Sequence, residues 1–353
     1  MVAHHDKDLT SLIHLSARIG RQPLLVQGST GNTSLKVGGT LWIKASGKWM
    51  ANASREEMFV PVSMADADRY FSEACRPPAP DLNAHLQPSI ETAMHLILPH
   101  RVVIHVHSVN TISWAVQQAI PPALHRRLEG LSWCWIPYTP SGAPLARSIS
   151  AALHLGPDVF VLANHGLVVA GDTCEMAEAL LREVEDRLSV VPRPIPSPQT
   201  TILKQLAASS GFQPADAPEI HALGTDALCT SRLSAGVMFP CQAMFLGRYS
   251  CVLSSGDSIP GLVRHYRAHH GFRPPAILVP GQGVLVASDL TLTESQMLCA
   301  LSELARRIPP GASVSYLTPD AVNEAISSSA VYLGRRVTRY QSEGALEAPR
   351  QSA

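Results

Sequence analysis

The chain has 353 residues, 46% of them hydrophobic, with 28 basic and 28 acidic side chains, a balance that excludes the basic surface of a nucleic-acid-binding protein. No apolar run approaches the roughly 20 residues of a membrane span, and the N-terminal residues lack the apolar core of a secretion signal, so we expect neither a membrane protein nor a secreted one. The seven cysteines are dispersed and form no C-x-x-C pair, which favours a cytoplasmic location over a disulfide framework or a thiolate zinc site.

The first half of the chain alternates helical and strand-like segments. An amphipathic helix over about 9–19 is followed by a turn rich in glycine and hydroxyl side chains at 28–34. Two strand-like runs then flank Gly38-Gly39, which indicates a hairpin. Further strands and helices alternate up to an amphipathic helix that ends near Leu188. This order predicts an α/β protein with helices layered on a sheet.

Three histidines and one glutamate stand out in this half. His105 and His107 lie two residues apart in an apolar run, and His165 ends another apolar run. Because residues i and i+2 of a strand project to the same face, the imidazoles of His105 and His107 should converge. With Glu91 upstream, three nitrogens and one carboxylate suit Zn²⁺ with a coordination position open to substrate. The pattern predicts a metal enzyme, and the alternative is a set of scattered structural or solvated histidines.

A proline-rich stretch divides the chain. Prolines occupy every second position from 192 to 198 and can continue neither a helix nor a sheet, so segment 191–200 is predicted to be a stiff linker. It would separate a catalytic domain at 1–190 from a second region at 201–340. The polar end, 341–353, is predicted to be a disordered tail.

The second region repeats part of the first. Residues 277–289 align with residues 160–172, and both segments run into a capped amphipathic helix. We interpret the second region as a smaller, degenerate repeat of similar α/β type. Gln282 stands where the first copy has His165, and because an amide is a poor zinc ligand, the repeat is expected to have lost its metal.

Five short motifs in the first half, over about residues 9–188, resemble those of the class II aldolase/adducin family. They are, in chain order, G-N-T-S at 31–34, A-S-G-K at 45–48, P-S-I-E at 88–91, H-V-H at 105–107 and N-H-G-L-V-V-A-G at 164–171. The family includes fuculose-phosphate aldolase, ribulose-phosphate 4-epimerase and related decarboxylases and dehydratases. The resemblance implies a three-layer α/β/α sandwich assembled as a homo-oligomer, commonly a C4 tetramer with active sites between subunits.

The resemblance also implies roles for particular residues and a small-molecule substrate. His105, His107 and His165 would hold a catalytic Zn²⁺, or Mn²⁺ or Co²⁺, since such a ligand set accommodates all three ions. Glu91 would be a fourth ligand or the general base. The residues expected to line a pocket for the phosphate or acidic end of a sugar phosphate or keto acid are Asn32, Ser46, Gly47 and Ser89, with Lys48 as an added charge. The alternatives are that these turns are ordinary hairpin turns and that Lys48 is a surface lysine.

Two departures from the family's motifs keep the reaction open. Ile90 stands where many sugar-phosphate aldolases of the family have a second serine, and Arg126 falls near the position of a proton-transferring tyrosine. The first hypothesis is retro-aldol cleavage of a hydroxylated keto compound or sugar phosphate through a metal-stabilised enediolate. The second is decarboxylation or 4-epimerisation at the same site, where an arginine would suit a substrate carboxylate. A third, an adducin-like module without activity, is disfavoured because all three histidines persist.

Overall fold

The computed structural model of the protein describes residues 2–71, 86–208 and 210–328, and the tail predicted at 341–353 lies outside these residues. The chain divides into two units. The first comprises Met1–Arg193 and Arg306–Ser315, and the second comprises Pro194–Ala305 and Tyr316–Ala353. Residues 189–199 contain neither helix nor strand.

The first unit is built on a seven-stranded sheet. Its strands are, in chain order, β1 (Asn32–Val37), β2 (Thr40–Lys44), β3 (Phe59–Ser63), β4 (Val102–Val106), β5 (Trp133–Ile136), β6 (Val159–Leu162) and β7 (Gly166–Gly171). They lie in the order β3-β2-β1-β4-β7-β6-β5, and every neighbouring pair is antiparallel except β5 and β6. The predicted hairpin is present: Gly38 and Gly39 have φ angles of 58° and 79° and connect β1 to β2, as a two-residue turn of this kind requires.

Helices cover both faces of this sheet. They are α1 (Val2–Gly20), α2 (Ala67–Phe71), α3 (Thr92–Ile97), α4 (Val109–Ala115), α5 (Pro122–Arg127), α6 (Ala143–Ala152) and α7 (Cys174–Leu188). Because side chains alternate along a strand, Val102 and Ile104 of β4 join the apolar cluster of α1, α4 and α7, while Val103 joins the cluster of α3 and α6. The three-layer α/β/α sandwich predicted for this part of the chain is confirmed.

The second unit contains a smaller sheet of the same design. Its strands are β8 (Phe212–Pro214), β9 (Cys251–Val252), β10 (Ala276–Val279) and β11 (Gly283–Ala287). They lie in the order β8-β11-β10-β9, in which β9 and β10 are parallel and the other pairs antiparallel. This order and these directions repeat β4-β7-β6-β5, which agrees with the predicted degenerate repeat.

Seven helices are described in the second half of the chain. They are α8 (Thr200–Ala207), α9 (Ala222–Thr225), α10 (Ala227–Ala235), α11 (Pro240–Leu246), α12 (Ile259–His270), α13 (Leu292–Arg307) and α14 (Pro319–Ser328). The last two residues of α13 belong to the first unit. Among the helices that the structure describes, none has the length and apolar character needed to cross a membrane.

Several helices begin where the sequence supplies a capping side chain. The Ser108 hydroxyl at the start of α4 accepts a hydrogen bond from the Thr111 amide, and the Thr173 hydroxyl does the same for Met176 at the start of α7. Such caps satisfy amides that have no partner inside the helix. The cap of α4 fixes the path of the chain directly after His107.

Candidate metal centre

Three buried imidazoles converge at one end of β4. The Nε2 atoms of His105 and His107 are 3.1 Å apart, and the three ring centroids of His105, His107 and His165 are separated by 4.9, 5.0 and 5.1 Å. One ligand nitrogen from each ring lies within 4.8 Å of the other two. The three residues are 0%, 6% and 4% exposed, so the cluster is shielded from bulk water.

The sheet explains why these rings meet. His105 lies on β4 between Asn32 of β1 and Val168 of β7. His107 directly follows the end of this strand, and its side chain projects to the same face of the sheet as that of His105. His165 occupies the tight connection between β6 and β7. Gly166 makes the close approach possible, because a Cβ atom there would lie 2.5 Å from the Val106 carbonyl oxygen and 3.3 Å from the His105 ring.

Hydrogen bonding and burial hold the rings in the form that binds metal. Nδ1 of His105 donates to the Leu167 carbonyl oxygen at 3.0 Å, which leaves the lone pair of Nε2 directed at the other rings. Burial lowers the pKa of His105 to about 4 and holds the pKa of His107 well below its usual range. Neutral imidazole is the ligating form, so this environment prepares both side chains for a metal at neutral pH.

Glu91 completes the group from the other side. Its Oε1 is 3.3 Å from Nε2 of His165, and its Oε2 is 3.4 Å from Nε2 of His105. Burial alone would raise the pKa of the Glu91 carboxyl, but the neighbouring imidazoles hold that pKa well below its usual range. Asn32 Nδ2 donates to Oε2 at 2.7 Å and Ser141 Oγ donates to Oε1 at 3.3 Å, which also favours the charged carboxylate.

The three histidine nitrogens are spaced as ligands of one metal ion could be, and Glu91 lies beside them. Two nitrogens that bind Zn²⁺ at about 2.1 Å in a tetrahedral arrangement are held roughly 3.4 Å apart. Three separations are close to this value: 3.1 Å between the Nε2 atoms of His105 and His107, 3.4 Å from His105 to Oε2 of Glu91, and 3.3 Å from His165 to Oε1 of Glu91. The ligand nitrogens of all three histidines lie within 4.8 Å of one another. Two acceptor nitrogens at such a distance repel each other unless a proton or a cation lies between them, so the residues present fit a divalent metal ion.

His95 is a buried residue next to this cluster that the sequence did not single out. Its Nε2 is 2.5 Å from Oδ1 of Asn32, and its Nδ1 is 2.7 Å from Oγ of Ser34. Burial lowers the pKa of His95 to about 3. As a neutral donor to Oδ1, His95 fixes the amide of Asn32 so that Nδ2 faces Glu91. Its spacing of four residues from Glu91 at the start of a helix was the available signal.

Lys44 is the second missed residue. It is 2% exposed, and its Nζ donates to the carbonyl oxygens of Ser29 at 3.1 Å and Ala45 at 3.2 Å. Burial lowers the pKa of the Lys44 amine to about 7, although the Glu91 carboxylate partly offsets this effect. A lysine inside the apolar run Leu41–Ala45 was the signal in the sequence, since buried lysines are rare and often functional.

Four of the residues predicted for the anion pocket lie in two groups. Asn32 and Ser89 are buried together, with Asn32 Nδ2 donating to Ser89 Oγ at 3.1 Å. Ser46 and Gly47 follow β2 and are exposed, and the Ser46 amide donates to the Gln87 carbonyl oxygen at 2.8 Å. An isolated bridge between Ala45 and Pro88 brings the two segments side by side.

Two other residues lie away from this arrangement. Lys48 forms an ion pair with Glu56 at 3.2 Å, and both side chains are partly exposed, as expected of a surface lysine. Arg126 is exposed on α5. Ile90 is half-buried and follows Ser89 directly in the chain.

Comparison with known proteins points to one family. A sequence model described as the Class II Aldolase and Adducin N-terminal domain matches residues 11–191. The chain is also 25% identical over 189 residues to the uncharacterized oxidoreductase YuxG of Bacillus subtilis, a match that covers 48% of this chain and 27% of YuxG. The chain therefore spans about a quarter of the length of that curated relative.

Solved structures give matches of similar extent. The N-terminal class II aldolase domain of a conserved protein from Thermoplasma acidophilum is 24% identical, with a TM-score of 0.42, and the match covers 50% of this chain and 90% of that domain. L-fuculose-1-phosphate aldolase from Thermus thermophilus is 18% identical, with a TM-score of 0.36, and the match covers 50% of this chain and 92% of that enzyme.

Proposed function

Since the chain belongs to the class II aldolase and adducin family, we propose that it is a metal-dependent carbon–carbon lyase. Its reaction is the retro-aldol cleavage of a small hydroxylated keto compound or sugar phosphate. The observation that carries this proposal is the convergence of three buried histidine rings on a charged carboxylate, with donor atoms spaced as a metal requires.

His105, His107 and His165 would hold a divalent metal such as Zn²⁺, Mn²⁺ or Co²⁺, with Glu91 as a fourth ligand or as the group that moves protons. When bound, such an ion supplies Lewis-acid polarisation of a substrate carbonyl, which is worth several kcal/mol of charge stabilisation. The backbone carbonyl of Leu167 keeps the His105 ring turned toward the site.

As the general base, Glu91 would act through its charged carboxylate. In retro-aldol cleavage, the carboxylate takes the proton of the substrate hydroxyl, whose carbon becomes the new carbonyl. The C–C bond breaks, and its electron pair stays on the carbon beside the keto group, which then takes the proton that Glu91 holds. Asn32 and Ser141 hold the two carboxylate oxygens by hydrogen bonds, so the base is oriented before substrate arrives.

We assign the acidic end of the substrate to Lys44 together with Ser46, Gly47 and Ser89. The Lys44 amine donates hydrogen bonds to the uncharged carbonyl oxygens of Ser29 and Ala45. Binding of an anionic substrate group nearby would favour the charged form of this amine. Lys44 takes over the part expected of Lys48, because the latter already pairs with Glu56 on the surface.

Decarboxylation or 4-epimerisation at the same centre is the second candidate. The observation that favours it is Ile90, which places an apolar side chain beside Ser89 where a second hydroxyl would help to bind phosphate. A substrate that carries a carboxylate instead would need fewer hydroxyl donors. The adducin-like binding module is a third candidate, and a complete ligand set speaks against it.

The remaining predictions stay proposals of the same kind. We propose that the protein forms a homo-oligomer, that segment 191–200 is a linker, and that residues 1–190 and 201–340 are the catalytic domain and its degenerate repeat.

Metal analysis followed by substrate tests checks this function. Purified protein should bind one divalent ion per chain, and incubation with dihydroxyacetone phosphate and a small aldehyde should give a new C–C bond. Release of CO₂ from a β-keto acid without any aldol product would favour the decarboxylase. Metal well below one equivalent after reconstitution would favour the binding module.

A further inference from the structure

The chain returns to the first unit after the repeat, over Arg306–Ser315, which we name the return segment. The start of the return segment is hydrogen-bonded to Arg193, at the end of the first part of this unit. The Arg193 guanidinium donates to the carbonyl oxygens of Arg306 at 3.1 Å and Ile308 at 2.9 Å, and Arg306 Nε donates to the Arg193 carbonyl oxygen at 2.6 Å. These reciprocal bonds fix the point at which the return segment begins.

A buried arginine adds a second attachment. Arg307 is 8% exposed, and its Nε donates to Oδ1 of Asn110 on α4 at 3.1 Å. Asn110 in turn donates to Oε2 of Glu185 on α7 at 3.2 Å. A buried guanidinium must be bonded to compensate for its lost hydration, so these contacts tie the return segment to the helix that follows the H-V-H strand.

The end of the return segment runs along the C-terminal end of α4. The Gln118 amide donates to the Ser313 carbonyl oxygen at 3.0 Å, and the Ser315 amide donates to the Val116 carbonyl oxygen at 2.7 Å. Gln117 and Val314 form the antiparallel bridge between these two bonds. The return segment therefore has a fixed register against α4.

This register brings the Ser315 carbonyl oxygen to Asn164, the residue before His165. Asn164 Nδ2 donates to that oxygen at 2.9 Å, and the Asn164 amide donates to the Ala115 carbonyl oxygen at 2.9 Å. Among the described residues, Asn164 is the non-glycine residue with positive φ, at 52°. Asparagine tolerates this conformation better than most residues, yet it persists only where neighbours hold it. The two bonds clamp the turn that carries His165 between α4 and the return segment.

We propose that Asn164 is a positioning residue for His165 and that the return segment completes the support of this ligand. The inference rests on the proposed metal site. Residues that follow the repeat would then contribute to metal binding, because the carbonyl oxygen that accepts from Asn164 belongs to Ser315, about 150 residues downstream. Outer partners that orient a metal ligand typically change metal affinity by about ten- to a hundredfold.

Cobalt titration of full-length Asn164→Gly tests the proposal. Glycine adopts a φ of 52° without strain but cannot bond to Ser315, so the melting temperature of the metal-free protein should change little. The Kd for Co²⁺ should rise about tenfold, with a changed Co²⁺ absorption spectrum. The matched control is Ser315→Ala, which keeps the backbone carbonyl and should bind Co²⁺ as the wild type does.

A second variant tests the return segment itself. Ser315→Pro removes the amide that bonds to Val116 and should weaken Co²⁺ binding in the same direction as Asn164→Gly. Wild-type affinity and spectrum in either variant would overturn the inference, as would a lowered melting temperature of metal-free Asn164→Gly with unchanged Co²⁺ affinity. If the wild type itself fails to bind Co²⁺, the proposed function fails instead, so the two failures are distinct.

Discussion

The two sheets of this protein share a strand order but differ at the positions of the proposed metal centre. In the first unit, His105 of β4 pairs with Val168 of β7, and in the second unit Pro214 of β8 pairs with Leu285 of β11. Leu285 aligns with Val168 in the repeat, so Pro214 takes the position of His105. A proline has no side-chain donor for a metal, and the first ligand is lost.

The other two ligands have changed as well. Two residues beyond Pro214, the exposed Asp216 stands in the position of His107, and Gln282 stands in the position of His165. The repeat has therefore kept the strand directions while losing the nitrogen ligands. Strand pairing depends on backbone hydrogen bonds and on an apolar pattern, so it survives substitutions that remove a site.

A buried histidine in the second unit shows what else a site needs. His221 Nε2 donates to the Ala215 carbonyl oxygen at 2.9 Å, and its Nδ1 accepts from the Val284 amide at 3.2 Å. Both ring nitrogens are bonded to backbone, so neither is available to a metal. His105 uses one nitrogen in this way and keeps the other for the cluster. The comparison teaches that convergence of ring nitrogens distinguishes the proposed metal site, and that burial of a histidine alone does not.

The sharpest test of this contrast removes one ring from the cluster. His107→Ala should abolish metal binding and lower kcat/KM by about a thousandfold or more, because losing the ion costs about 4 kcal/mol or more of transition-state stabilisation. The matched change in the repeat, His221→Ala, should leave the metal content at one ion per chain. Metal analysis and steady-state kinetics report both. Retained turnover in His107→Ala would remove His107 from the site.

Lys44→Met tests whether the buried charge of the first unit binds the anionic end of the substrate. The side chains are similar in size, so the fold should be kept, while KM should rise about ten- to a hundredfold with a smaller change in kcat, as expected for a lost charged hydrogen bond. Lys48→Met is the control and should change KM less than about twofold. A larger rise in KM for Lys48→Met than for Lys44→Met would show that Lys48, and not Lys44, binds the anionic end of the substrate.

In the first unit, the pH dependence of stability should come from its buried histidines. Histidines whose folded-state pKa is depressed bind protons more strongly when unfolded, so stability is lost as pH falls below about 6.5 toward the folded-state pKa. The pKa of His105, lowered to about 4, corresponds to a loss of about 2 kcal/mol between pH 7 and pH 5, and His95 should add to it.

Urea unfolding of the metal-free protein followed by tryptophan fluorescence measures this loss, because all five tryptophans, at positions 42, 49, 114, 133 and 135, lie in the first unit. His95→Gln should make the loss between pH 7 and pH 5 shallower. An unfolding midpoint that stays constant over this range would show that the buried histidines are already protonated in the folded protein.

The smallest effect is expected from restoring one ligand to the repeat. Gln282→His should leave the metal content at one ion per chain, because Pro214 supplies no ligand and Asp216 is exposed. Equilibrium dialysis with Zn²⁺ measures the stoichiometry. A second equivalent bound with similar affinity would mean that the repeat retains more of a site than its side chains indicate.

Much of the fold and part of the candidate site could be predicted from local patterns in the sequence. The spacing of His105 and His107 is sufficient to put both rings on one face of a strand, because strand side chains alternate. Gly38 and Gly39 specify a two-residue hairpin, and the alignment of Gln282 with His165 exposed the repeat. Each of these signals depends on residues that are close in sequence or on direct self-similarity.

The sequence by itself determined the strand periodicity, the hairpin, the repeat and the convergence of the H-V-H pair. Only the tertiary structure decided that Lys44 is buried while Lys48 is paired at the surface, that His95 orients Asn32, and that the Ser315 carbonyl oxygen supports the turn before His165. The physical reason is that burial and long-range hydrogen bonds depend on which segments the fold brings together, and no local pattern encodes a partner about 150 residues away.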